Sequence, residues 1–190
     1  MSTTLQETGL RTGTWQVDPE HSHLGWSVKH LGIAKVRGWF EDYSGKVEIG
    51  AAGSFRVEGL VKASSLRTGN KNRDIHIRSD EDFFQVERYP DIRFASEDIQ
   101  PAGEGMYIID GVLTLHGHQR PVSWQAYLGG YAQDLGGDQR MALNVSGELN
   151  RKEWGMDWNR FLEAGGMLVS ERVQIDLDLS LIHLNRPGSP

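Results

Sequence analysis

The stretch Val173-Gln174-Ile175-Asp176-Leu177-Asp178-Leu179-Ser180-Leu181 alternates apolar and polar residues without exception. On an extended chain successive side chains point to opposite faces, so Val173, Ile175, Leu177, Leu179 and Leu181 share one face. Such a segment is a strand with one buried and one wetted side, the habit of antiparallel sheets. Three other windows repeat the pattern. Phe55, Val57, Gly59, Val61 and Ala63 oppose Ser54, Arg56, Glu58 and Lys62; Met141, Leu143, Val145 and Gly147 form another face; Leu24, Trp26 and Val28 oppose His23, Ser27 and Lys29. Further strands are expected at Thr14–Asp18, Val36–Ile49, Asp91–Asp98, Met106–Leu115 and Val122–Gly129.

Gly50-Ala51-Ala52-Gly53, Pro101 to Gly105 and Gly136-Gly137-Asp138 separate these runs as short glycine-containing connections, which suit antiparallel hairpins. No strand–helix alternation appears, so a parallel sheet is not expected. About eight long antiparallel strands in one domain need their edges managed, and closure into a barrel does this. A barrel of that size is filled by its own side chains or holds one small ligand. The expected class is all-β, an eight-stranded antiparallel barrel spanning 14–183, with a flexible N-terminal tail at 1–13 and a disordered C-terminal tail at 184–190.

The chain has 190 residues, 38% hydrophobic and 24% charged, an ordinary globular balance for one domain. A net charge of −6 argues against neutralising nucleic-acid phosphates, so no nucleic-acid partner is expected. No apolar run approaches the roughly 20 residues that span a bilayer. Met1 to Thr14 lacks the apolar core of a secretory signal, so a cytoplasmic location is expected. The absence of cysteine removes disulfides, cysteine-ligated zinc and thiol chemistry.

The segment from Arg67 to Phe84 interrupts the alternation. It mixes basic and acidic residues with His76 and ends on two adjacent phenylalanines, as a lid with an apolar anchor would. Asn70–Ser79 is the best place for a short helix, with Asn70 or Asn72 as N-cap. A second irregular stretch, Trp154 to Met167, reads as a long loop.

Seven histidines raise metal and acid–base chemistry. His21/His23 and His116/His118 have the spacing of two ligands on one strand face, but Pro19 and Gly117 place both pairs at strand ends, and no metal is expected. Asp18 with His21, and Asp74 with His76, are as well explained by turn-forming hydrogen bonds as by proton transfer. Ser22 and Ser79 lie near histidines without a nucleophile elbow, and Thr68-Gly69-Asn70-Lys71 is no phosphate loop. No catalytic residue is assigned. The competing reading is a metal-dependent or acid–base enzyme using His21, His23, His76 and His116. The six tryptophans and six phenylalanines either fill the core or line a cavity.

Four blocks resemble the YceI-like polyisoprenoid-binding family: Trp15 to Ser22; Val28-Lys29-His30-Leu31-Gly32 with Val36-Arg37-Gly38-Trp39-Phe40; Thr68 to Ser79 with Asp82-Phe83-Phe84 and Tyr89-Pro90; and Gly111 to Gly117. Asn150 to Met156 is a weaker fifth. The resemblance implies a lipocalin-like barrel with a short helical cap and an elongated apolar cavity. Its ligand would be a long isoprenoid or similar amphiphile of the quinone or prenyl phosphate type, with no other cofactor. Many members of that family carry a signal peptide and are periplasmic. The side chains expected along the cavity are Trp26, Val28, Phe40, Phe55, Val57, Phe83, Phe84, Phe94, Leu113, Leu143 and Trp158. Those expected to orient a head group, or to pin the cap among themselves, are His21, His30, Arg73, His76 and Arg78. A third reading is a structural or stress-response module whose cavity is incidental. If the chain associates, family likeness and the commonness of twofold symmetry point to a homodimer.

Overall fold

The structure, a computed structural model, describes residues 11–51, 54–160 and 167–184. Its elements are β1 (Gly13–Val17), β2 (His23–His30), β3 (Ala34–Phe40), β4 (Tyr43–Ile49), β5 (Phe55–Lys62), β6 (Leu66–Arg67), α1 (Lys71–Ser79), β7 (Asp91–Gly103), β8 (Met106–Leu115), β9 (His118–Gln133), β10 (Gln139–Asn150) and β11 (Val169–His183). Residues 1–10 and 185–190 of the expected tails, and part of the turn at 50–53, lie outside the described residues.

Eleven strands make eight staves. β1 and β2 lie end to end along β11, with Val17 opposite Leu181 and His23 opposite Asp178. β3 and β4 lie end to end against β2 and β1, and β5 and β6 against β4 and β3. β7, β8, β9, β10 and β11 follow as an antiparallel meander, and β1 pairing with β11 closes the ring. Closure leaves the eight-stranded barrel without the long open edge that an alternating sequence would otherwise expose.

The expected single strand Val36–Ile49 is broken at Glu41–Asp42. Three staves bend at this level, at Asp18–Ser22, Glu41–Asp42 and Ala63–Ser65, and side chains serve the backbone groups that leave the ladder. Asp18 Oδ1 accepts from Glu20 N–H at 3.1 Å, Ser65 Oγ accepts from Glu41 N–H at 3.2 Å, and Tyr43 Oη donates to Ser22 O at 2.7 Å. β7 and β9 run longer than the sequence windows, to Gly103 and from His118 to Gln133.

α1 begins where expected: Asn70 Oδ1 accepts from Arg73 N–H at 3.1 Å, a side-chain N-cap. The stretch expected as a loop from Trp154 starts with a short 3-10 turn, Arg151–Trp154, closed by Gly155 in the left-handed region at φ 71°. Residues 161–166 of that stretch lie outside the described residues.

One end of the barrel is packed solid. Trp15, fully buried, meets Tyr131 at 5.6 Å between ring centroids and His183 at 4.7 Å. Val47, Ile49, Met141 and Leu181 fill the space around it. Burial pushes the Tyr131 hydroxyl up to about 12 and raises that of Tyr107 as well. Arg140 ties this end together, donating to Asp18 at 2.6 Å and to Asp134 at 2.8 Å.

Candidate functional site

From mid-barrel to the opposite end the inward faces do not meet, and they leave a cavity of about 460 Å³. Every strand except β6 contributes to its lining. The lining residues are mostly apolar and include Trp26, Val28, Phe40, Val57, Phe94, Leu113, Leu143 and Ile175. Phe94 and Trp124 stack at 5.2 Å and 20° along one wall. Glycines seat the indoles: a Cβ on Gly147 would lie 2.1 Å from Trp124, and one on Gly38 2.2 Å from Trp26. Inward Gly59 is different, because a Cβ there would meet only Phe94 Cβ at 4.0 Å.

The lid covers this end. After α1 the chain turns so that Phe84 N–H donates to Ile77 O at 3.1 Å, which sets Phe83 and Phe84 over the opening. Phe83 stacks on Trp158 at 5.0 Å, His76 stands edge-on to both rings at 5.5 and 5.3 Å, and Phe84 meets Phe40 at 6.0 Å. Buried Asp74 accepts from Thr68 Oγ1 at 2.6 Å, while Arg73 donates to that same hydroxyl at 2.8 Å and to Thr68 O at 2.9 Å. Arg78 donates to Asp74 O and Ser64 O, fastening the helix to the Ala63–Ser65 bend. The charges of the lid thus hold it to the barrel through hydroxyl and carbonyl oxygens.

Of the residues expected along the cavity, ten line it: Trp26, Val28, Phe40, Val57, Phe83, Phe84, Phe94, Leu113, Leu143 and Trp158. Phe55 does not. It is the first residue of β5, at the packed end, with its ring 5.6 Å from Tyr107. Among the polar candidates His30, Arg73 and His76 line the cavity. His21 and Arg78 do not: His21 is exposed on the outer bend and bonded to Asp18 at 2.7 Å, and Arg78 points away to Ser64.

The histidines are dispersed. Asp18, Glu20 and His21 bring three ligand-type atoms within 4.8 Å, but the Asp18 carboxylate is already engaged by Arg140. That guanidinium foremost, then His21 and the Glu20 N–H, hold the Asp18 carboxyl below the ordinary carboxylate range against the opposing effect of burial. His116 Nδ1 is committed to Trp154 O at 3.0 Å, and its ring is 6.3 Å from that of His118.

Arg151 is a further residue of the site, one that the sequence alone does not mark. It is 3% exposed and lines the cavity beside Met156. Nε donates to Ser170 O at 3.2 Å and Nη1 to Met156 O, while Nη2 has no partner among the described residues. Burial pulls this guanidinium below its ordinary range, opposed by the more distant Glu171 and Asp157. Among the described residues no carboxylate bonds this deep cation, a costly arrangement that an acceptor group at the lid end would relieve.

The YceI-like domain family matches residues 15–181. The chain belongs to the YceI-like family. A UPF0312 protein of Pseudomonas putida is 31% identical over 146 residues, covering 75% of this chain and 76% of the relative. Another from Pseudomonas fluorescens is 30% identical over 171 residues, covering 88% and 84%. Among solved structures, this YceI-like barrel is similar to Burkholderia cenocepacia BcnA, with a TM-score of 0.75 at 20% identity over 86% of this chain and 98% of that one. It is also similar to a polyisoprenoid binding domain from Saccharophagus degradans implicated in plant cell wall breakdown, with a TM-score of 0.67 at 16% identity over 91% and 99%. At these identities the structures establish the shared barrel.

Proposed function

We propose that this YceI-like barrel is a non-enzymatic lipid-binding protein. Its ligand is a long-chain isoprenoid or similar amphiphile, of the prenyl phosphate or quinone type, held for transport, storage or sequestration. The observation that carries the reading is the mostly apolar lining of a 460 Å³ cavity in a barrel whose other end is packed solid. Each buried CH₂ contributes about 0.8 kcal/mol, so a dozen gross roughly 10 kcal/mol before the costs of ordering and association. A chain-shaped ligand thus needs few polar contacts, and the polyisoprenoid-binding domain that shares the fold supports that ligand class.

Polarity supports one direction of entry. Arg73, His76 and Arg151 lie at the lid end, and the far end is closed by Trp15 and its neighbours. The tail therefore points into the barrel and the head group stays beneath the lid.

Trp26, Trp124 and Trp158 line the cavity and report its occupancy. Delipidated protein titrated with a prenyl phosphate is expected to show a saturable one-to-one change in tryptophan fluorescence. A linear, non-saturating response would overturn the reading.

A further inference from the structure

The β2–β3 hairpin breaks the rules of its own turn. Leu31 and Gly32 both take positive φ, 55° and 72°, and Ile33 N–H donates to His30 O at 3.2 Å. Two successive positive φ values make the primed turn that asparagine and glycine suit, and a bulky residue rarely accepts it. Leu31 occupies the first position nonetheless, and the tip displays apolar surface, with Leu31 43% and Ile33 88% exposed.

The flanks carry unbalanced positive charge. Lys29 and Lys35 are exposed and directly opposite each other across the hairpin, and exposed Arg37 follows on the same strand. Like charges in that position destabilise a strand pair. The carboxylates of Glu41, Glu171 and Glu148 are engaged elsewhere, with Arg67, Lys152 and Arg172. Among the described residues Lys29, Lys35 and Arg37 form no ion pair, although the chain carries a net charge of −6.

The hairpin stands at the rim of the cavity. Its inward residues Val28, His30 and Val36 line the cavity, and Leu31 N–H donates to the lining residue Leu168 at 2.9 Å. β6 covers β3 only at Trp39 and Phe40. The five residues from Trp39 back to Ala34 therefore carry the tip roughly 16 Å beyond β6. A charged strand edge by itself is a guard against edge-to-edge pairing. A guard does not call for Leu31 and Ile33 at the tip.

We propose that this hairpin docks the lid end of the barrel on an anionic lipid surface, with Leu31 and Ile33 entering the acyl boundary and Lys29, Lys35 and Arg37 meeting the phosphates. An apolar tip flanked by cations is the mark of an interfacial anchor. A second copy of the chain would bring the same cations face to face across a twofold axis. The physiological purpose, delivery of cargo to or from the membrane, rests on the carrier reading; the docking itself does not.

Flotation of the intact protein with phosphatidylcholine vesicles, with and without phosphatidylglycerol, tests the inference. Binding is expected only to the anionic vesicles and should weaken as salt screens the lysines. K29A/K35A should lose about fivefold per lysine, roughly 25-fold in all, and L31S/I33S roughly tenfold. L135S, an exposed leucine in the β9–β10 turn, should bind as the unaltered chain does. Absent flotation, or K29A/K35A floating undiminished, overturns the proposal. So does L31S/I33S dissociating a dimer while vesicle binding persists, which would make the tip a self-interface. Lipid bound in the cavity of a protein that ignores vesicles leaves the carrier reading intact; vesicle docking by a protein that takes up no lipid overturns the carrier reading alone.

Discussion

The two ends of this barrel are built from the same alternating strands and behave as different materials. At the packed end Trp15, Tyr131, Tyr107, Met141 and Leu181 interlock around the closing pair of strands. At the lid end the same staves carry valine, glycine and flat-lying indoles, and their faces do not meet. Side-chain volume at a given height therefore decides between core and cavity, and strand patterning does not. The packed end supplies stability and holds the ring shut. The lid end gives up some packing and leaves a cavity.

The largest expected difference follows from truncating one aromatic at each end. Trp15→Ala removes a fully buried indole and its hydrogen bond to Arg11 O. It should cost about 4 kcal/mol. Trp158→Ala, beside a cavity that already exists, should cost about 1 kcal/mol in stacking on Phe83. Denaturant unfolding of the two variants checks the ordering, and equal losses would erase the distinction between the ends.

Next comes the Arg140 tie. Asp18→Asn leaves Arg140 with Asp134 and the Ser180 hydroxyl and should cost about 2 kcal/mol, the loss of a charge-assisted hydrogen bond. Because Arg140 holds the folded Asp18 carboxyl below its unfolded value, the contribution is complete above the ordinary carboxylate range. It fades as pH falls through the lower folded value. Unfolding followed against pH should show a steeper acid loss in the unaltered chain than in Asp18→Asn. Parallel curves would refute the tie.

The smallest effect carries the opposite sign. Gly59 faces open space in the cavity and has room for a side chain. Gly59→Leu should stabilise the fold by roughly 1 kcal/mol through apolar burial and lost glycine entropy, while lowering ligand uptake. A more stable variant with undiminished uptake would mean that the guest does not use this part of the cavity.

Much of this was legible in the sequence. The unbroken alternation of Val173 to Leu181 reports a half-buried strand, and β11 is that strand, lining the cavity with Val173, Ile175, Leu177 and Leu179. Alternation reports the face of a residue and not its height along the axis, which is why Phe55 reads as cavity lining yet sits against Tyr107. The bends that turn eleven strands into eight staves depend on cross-stave hydrogen bonds such as Ser65 to Glu41, which no local window contains. His21 and Arg78 belong to motif blocks, but a motif does not say which way a side chain leaves the backbone. Arg151 escapes for a different reason: composition places arginine at the surface, and only the folded chain shows this one buried.

The central claim is that the lid-end cavity carries a chain-shaped lipid. Native mass spectrometry of the protein purified without detergent, followed by organic extraction, tests it most directly. One long-chain amphiphile per barrel is expected, released on extraction and reduced in Gly59→Leu. Folded protein that remains at its bare mass, and takes up no isoprenoid when one is supplied in excess, would contradict it.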